Sequence, residues 1–225
     1  MAIEIHNIGS SVVNRYLLRD NACILIDTGI PHTARTMTGA MARLGINPTE
    51  VALIVLTHGH VDHAGAVKAI QQLTGAKVAI HYRDQAWVEQ GLVVVPPVQT
   101  AAGRMVWAAL DRGARLLHFP PVKADIVIGD EGLSLAEFGM RGRVIHTPGH
   151  SMGSVSILLD TGEAFVGDLG ASGAPFGDSP RLPPAAEDPQ QVVTSWKRLL
   201  DLGAKTIYPG HGRPFPAEAI GRVLP

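Results

Sequence analysis

The sequence predicts an α/β protein. Short runs rich in Ile, Val and Leu alternate with stretches of helical spacing, and glycine and proline mark the joints between them. The same order of elements occurs twice along the chain, each time ending in a strand that runs into a histidine-bearing loop. The 225 residues are 46% hydrophobic and 17% charged, which suits a packed core and excludes extensive disorder. One domain over residues 1–225 is expected, with a variable insert at about 91–125.

Ile3 to Ile8, Val12 to Leu18 and Cys23 to Ile26 read as three successive strands, separated by Gly9-Ser10-Ser11 and Asp20-Asn21. A helix from about Thr33 to Leu44 follows and is stopped by Gly45 and Pro48. Val51 to Leu56 is a continuous apolar run, as expected of a strand buried on both faces. After a His-rich loop, Ala64 to Leu73 reads as a helix closed by Gly75, and Lys77 to Ile80 as a strand. In the second half, Gly142 to His146, Ser154 to Leu159 and Ala164 to Val166 read as strands. Pro189 to Leu202 reads as a helix and Lys205 to Ile207 as a short strand. A duplicated αβ–βα arrangement accounts for the repeated order, and so does a chance likeness of Gly-rich turns. Between the halves, Val93 to Val98 is apolar and extended, and Thr100 to Leu117 has helical spacing. That stretch is read as a helical connection packed on the core, with a lid or a dimer contact as the alternative; a homodimer is compatible with it.

Charge and cysteine usage narrow the function classes. Lys plus Arg is 19 and Asp plus Glu is 20, a balance that argues against a nucleic-acid partner or a polybasic membrane-surface protein. Cys23 is the one cysteine, so an internal disulfide and a cysteine-based metal cluster are both excluded. No segment has the length and apolarity of a membrane span, and the start lacks the blocks of a signal peptide. A soluble, cytoplasmic protein is the expectation.

The informative segment is Thr57-His58-Gly59-His60-Val61-Asp62-His63, which sets three imidazoles and a carboxylate close together directly after a buried strand. Imidazole and carboxylate are ligands that zinc and similar metals accept. His58 and His60, two apart, point the same way in an extended turn and can chelate one ion. Asp62 and His63 start the next helix, point elsewhere and can serve a second. A polar surface loop explains a lone histidine well but this density poorly. Further ligands must come from elsewhere. The candidates are His150 in Pro148-Gly149-His150-Ser151, Asp168 after Phe165-Val166-Gly167, and His211 in Pro209-Gly210-His211-Gly212. Each alone is weak, being also what an ordinary turn looks like.

Taken in order, His-Gly-His-Val-Asp-His, Pro-Gly-His-Ser, Gly-Asp and Gly-His-Gly resemble the metallo-β-lactamase superfamily of binuclear metal hydrolases, from about Ile3 to Pro214. The resemblance implies a four-layer αββα sandwich with the site at one edge of two packed sheets. It implies His58, His60 and His150 on a first metal, Asp62, His63 and His211 on a second, and Asp168 bridging. Two zinc ions are implied, with iron or manganese as alternatives. Asp27 matches a structural aspartate of the family and is expected to orient a ligand imidazole or brace the loop. His146, His6, His32, His81 and His118 are left out of the ligand set; His118, in the variable segment, is the first of them to reconsider.

Metal-bound water with a pKa near about 7 makes hydroxide available at neutral pH. A bridging hydroxide would attack a carbonyl or phosphoryl centre, with Asp62 as the catalytic residue that orients it or passes a proton. Fold and metals do not specify the substrate. Few residues follow His211, so the C-terminal helical extension of the usual glyoxalase II enzymes is not expected. The nucleic-acid-processing branch needs length and basic balance that this chain lacks. A small-molecule ester, lactone or thioester is the expected substrate. Alternatives are a β-lactam, phosphoester or phosphotriester hydrolase and, from another class, a non-haem iron oxygenase acting on a persulfide-type substrate.

Overall fold

The computed structural model describes residues 3–10, 12–97, 118–173 and 177–224. The expected helix at Thr100 to Leu117 lies outside the described residues.

Strand β1 (Glu4–Asn7), β2 (Tyr16–Arg19) and β3 (Cys23–Ile26) form an antiparallel meander. Helix α1 (Ala34–Arg43) then carries the chain to β4 (Val51–Val55), which pairs parallel to β3. A short helix α2 (Val61–Ala64), α3 (Val67–Thr74) and β5 (Lys77–His81) follow, then α4 (Tyr82–Gln90) and β6 (Ile126–Ile128). These six strands make one sheet in sequential order. The second sheet contains β7 (Leu133–Ser134), β8 (Gly142–His146), β9 (Val155–Leu159) and β10 (Glu163–Gly173), again an antiparallel meander. The hairpin partner β11 (Gly177–Arg181) sits on β10. Helix α5 (Pro189–Asp201) then leads to β12 (Thr206–Gly212), parallel to β10, with β13 (Phe215–Pro216) at the edge and α6 (Ala217–Gly221) after it. Each half therefore runs meander, helix, parallel strand, the order read from the sequence.

Side-chain alternation sorts the layers. Leu17, Leu25, Ile54 and Val78 face α1, α3 and α4, meeting Met37, Met41, Val67, Ile70 and Val88. Their strand neighbours Leu18, Ile24, Leu53 and Ala79 face the other way, against Val144, Ile157 and Phe165 of the second sheet. The outer face of that sheet packs Ile145, Leu158 and Ile207 on Val192, Trp196 and Leu199 of α5. The period of two along each strand thus fills three apolar layers, giving an αββα sandwich. Full burial of each such side chain contributes about 1.5–3 kcal/mol.

Three expectations are corrected. The helix read over Ala64 to Leu73 is two helices, broken at Ala66, whose N–H bonds to the Gly29 carbonyl at 3.0 Å instead of continuing the helix. Asp168 does not follow a strand end: β10 shifts register around Gly167 and continues past it. His211 lies inside β12 and not in a loop after it. Helix α4, β6 and β7 were not expected from the pattern; the two strands are only three and two residues long, and α4 is largely polar.

Candidate metal centre

The site sits where parallel strands end. β4 delivers His58 and His60 in the turn that leads to α2, whose first turn carries Asp62 and His63. The turn between β8 and β9 delivers His150, and β10 and β12 supply Asp168 and His211. All seven converge. His58, His60 and His150 form one group, and Asp62, His63, Asp168 and His211 a second, with the ligand-type atoms of each group within 4.8 Å of one another. Asp168 links them: its Oδ1 lies 3.2 Å from His63 Nε2, and its Oδ2 lies 3.3 Å from His211 Nε2 and 3.6 Å from His150 Nε2. Gly210 is required by this closeness, since a Cβ there would meet Asp168 Oδ1 at 2.5 Å and the His63 ring at 2.6 Å.

The outer nitrogens of four histidines face acceptors and so must carry the hydrogen. His63 Nδ1–H donates to Asp27 Oδ2 at 2.8 Å, His150 Nδ1–H to the Ala185 carbonyl at 2.9 Å, and His211 Nδ1–H to the Val12 carbonyl at 2.6 Å. Thr57 Oγ1 spends its hydrogen on Asp27 at 2.8 Å, and so accepts from His58 Nδ1–H at 3.0 Å. In the neutral rings, the inner Nε2 atoms are then lone pairs aimed at each other and at carboxylates. His60 turns Nδ1 inward, 3.0 Å from His150 Nε2. His58 Nε2, His63 Nε2 and Asp168 Oδ1 are buried with no hydrogen-bond partner among the described residues. Lone pairs and carboxylates converging in a buried site require a proton or a cation between them.

The electrostatics divide along the same line. Burial and the neighbouring imidazoles hold His58 well below the ordinary histidine value, and push His60 down to about 3. Burial opposes charge on His63 and His211 too. There, however, Asp168 and Asp62 outweigh it, raising His63 well above the usual value and His211 to about 10. The carboxylates respond reciprocally: burial would raise them, but His63 and His211 draw Asp62 down to about 2 and Asp168 far down. The carboxylates of the second group thus favour the charged form of their imidazoles, while burial keeps His58 and His60 of the first neutral. The residues fit a pair of divalent cations, with nitrogen and oxygen ligands and no sulfur.

Asp27 is a brace. It is 2% exposed, accepts from Thr57 N–H at 2.8 Å as well as from the Thr57 hydroxyl and His63, and has a φ of +61°. Such a conformation in a residue other than glycine costs about 1–3 kcal/mol and persists where surrounding contacts enforce it. The excluded histidines stay outside the two groups. His6 pairs with Glu4 at 3.2 Å, His32 takes a φ of +70°, and His118 is exposed. His81 and His146 approach Asp130 Oδ1 at 3.1 and 3.2 Å. Their rings stack at 4.0 Å with planes 12° apart, so one ion could not lie in both ring planes, where the nitrogen lone pairs are.

Sequence reasoning missed two residues of α4. Asp84 is buried among the metal-loop backbones, and the Trp87 ring stacks on His60 at 5.6 Å and 10°. The signal available was topological: β5 lies beside β4, so whatever follows β5 stands next to the His58 loop.

Residues 8–211 match the family model described as metallo-beta-lactamase superfamily. The chain belongs to that superfamily. Among its metallo-β-lactamase relatives, metallo-beta-lactamase domain-containing protein 1 of Rattus norvegicus is 28% identical over 195 residues, covering 85% of this chain and 62% of the relative. Beta-lactamase-like protein 2 homolog of Drosophila melanogaster is 29% identical over 215 residues, 93% of this chain and 61% of the relative. The chain thus spans about three-fifths of those two proteins. Probable metallo-hydrolase YflN of Bacillus subtilis (strain 168) is 28% identical, with 95% and 86% covered. Among solved structures, the BLEG-1 B3 metallo-beta-lactamase superposes with a TM-score of 0.70 at 23% identity, covering 100% of this chain and 98% of that one. This likeness concerns the fold.

Proposed function

We propose that this protein is a metal-dependent hydrolase that holds two cations, zinc being the best match to the donor set, and cleaves a small ester, lactone or thioester. The observation that carries the reading is the convergence of five imidazoles, four with the outer nitrogen committed to an acceptor, on two carboxylates. His58, His60 and His150 would hold one ion and Asp62, His63 and His211 the other, with Asp168 shared. Cations bound there supply Lewis acidity and lower the pKa of a coordinated water toward about 7.

The chain's own residues do the rest. Asp62 is the most open of the seven, its side chain 33% exposed, with Oδ2 3.3 Å from His211 Nε2. It is placed to orient a nucleophile or to carry a proton to a leaving group. Two cavities adjoin the site. One of about 220 Å³ is walled by Val61, Val93, Val94, Val95 and Pro96. The other, about 160 Å³, is walled by Ala171, Pro183, Pro184 and Ala185. Neither is lined by Lys or Arg among the described residues, which suits an uncharged acyl group. This apolar wall supports a substrate with an apolar acyl part.

The experiment is a panel of lactones, thioesters, β-lactams and phosphodiesters on metal-quantified protein. Turnover of neutral acyl substrates with two ions per chain is expected. One iron per chain with oxygen consumption, or turnover of phosphodiesters alone, would contradict the reading.

A further inference from the structure

Three bonds converge on one buried carboxylate outside the ligand set. Asp84, in the first turn of α4, is 1% exposed. Its Oδ2 accepts from Gly59 N–H at 2.9 Å and from Ser151 Oγ–H at 2.7 Å, and its Oδ1 accepts from Gly153 N–H at 3.0 Å. Gly59 lies between His58 and His60, and Ser151 follows His150. The two loops that Asp84 joins are therefore the ones that carry the whole three-histidine group. The fit is close: a Cβ on Gly153 would meet Asp84 Oδ1 at 2.3 Å, and one on Gly59 would meet Trp87 at 3.0 Å and Asp84 at 3.3 Å. Trp87, three residues along the same helix, faces the same way and stacks on His60.

Charge adds a second argument. The three-histidine group has only neutral ligands of its own, Asp168 being shared with the other group. A dication there has only the shared Asp168 as counter-charge within the ligand set, and Asp84 is a further buried carboxyl beside its two loops. Burial raises the Asp84 carboxyl above its ordinary value and the three donors oppose that rise; with its oxygens filled by them, it stands next to the loops without reaching in to ligate.

We propose that Asp84 is a positioning residue for the three-histidine subsite, fixing the separation of its two loops and balancing the charge of the ion bound between them. This rests on the two-cation reading above. Outer partners of this kind change metal affinity by about 10–100-fold when altered. Asp84→Asn keeps the shape and two of the three acceptor contacts, but removes the charge and turns an amide N–H₂ toward a donor.

The test is a Zn2+ titration of chelator-stripped protein against a competing chromophoric chelator, with Co2+ absorption spectra and the melting temperature of the stripped protein alongside. Wild type should bind two ions. Asp84→Asn should weaken one of them about 10–100-fold, leave the other unchanged and alter the Co2+ spectrum. On a His58→Ala background the same change should add no further loss, which assigns the weakened ion to the three-histidine subsite. Ser151→Ala, a milder removal of one donor, should weaken the same ion several-fold and guards against Asp84 variants that do not fold. Wild type binding two ions with unchanged affinities in Asp84→Asn and Ser151→Ala would overturn the positioning role alone, as would a lower melting temperature with intact affinities. Wild type binding fewer than two ions would overturn both readings.

Discussion

The two sheets deliver the seven candidate ligands in opposite styles. The first supplies four from one stretch, His58 to His63, in the turn after β4 and the start of α2. The second supplies three from separate places: His150 between β8 and β9, Asp168 within β10 and His211 within β12. A contiguous cluster fixes its own spacing through a few backbone torsions. A dispersed set depends on strand register, and here on the shift around Gly167 and the bare Cα of Gly210. The chemistry is divided differently from the chain. Both sheets contribute to each group, so neither half holds a complete group without the other.

Perturbing Asp168, which lies between the two groups, should have the largest effect. Asp168→Ala should remove both ions and reduce hydrolysis by at least about 10³-fold, comparable to losing a main electrostatic element of a site. Retention of two tightly bound ions would show that Asp168 is not shared. His60→Ala should come next, losing the ion of the three-histidine group and most activity together. The Asp62 group should keep its ion in that variant, as inductively coupled plasma mass spectrometry can count. Asp27→Asn should follow. It disturbs a brace that fixes both Thr57 and His63, and a 10–100-fold drop in metal affinity is the expected scale. Chelation of the wild type should lower the melting temperature by on the order of 10 °C, since a ligand at 1,000 times its Kd contributes about 4 kcal/mol. Smallest is His146→Ala, which should keep metal content and activity within a few-fold. Its ring donates to the Met152 carbonyl at 2.9 Å and stacks on His81, outside both groups. Equal losses in His60→Ala and His146→Ala would overturn the division between ligands and neighbours.

How much was legible in the sequence follows the same contrast. Cys23 to Ile26 and Gly142 to His146 are strands at the boundaries expected, because each is a dense apolar or β-branched run bounded by turn residues. The His58 to His63 cluster announces itself by density alone. Asp168 and His211 were legible only as members of an ordered set, since Gly-Asp and Gly-His-Gly look locally like turns although both lie in strands. Asp84 was not legible. A lone aspartate near the start of a mostly polar helix has the look of a solvated first-turn residue. Its burial depends on β5 lying beside β4 and on two glycines with no side chain to hold it off. Helix α2 was merged with α3 for a related reason: at the break the Ala66 N–H leaves the helical ladder for the Gly29 carbonyl at 3.0 Å, which is distant in sequence.

Anomalous scattering from crystals of zinc-loaded protein, measured on both sides of the zinc edge, tests the central claim most directly. Two peaks are predicted, one among His58, His60 and His150 and the other among Asp62, His63 and His211, with Asp168 reaching both. A single peak, or density between His81 and His146 instead, would contradict the account.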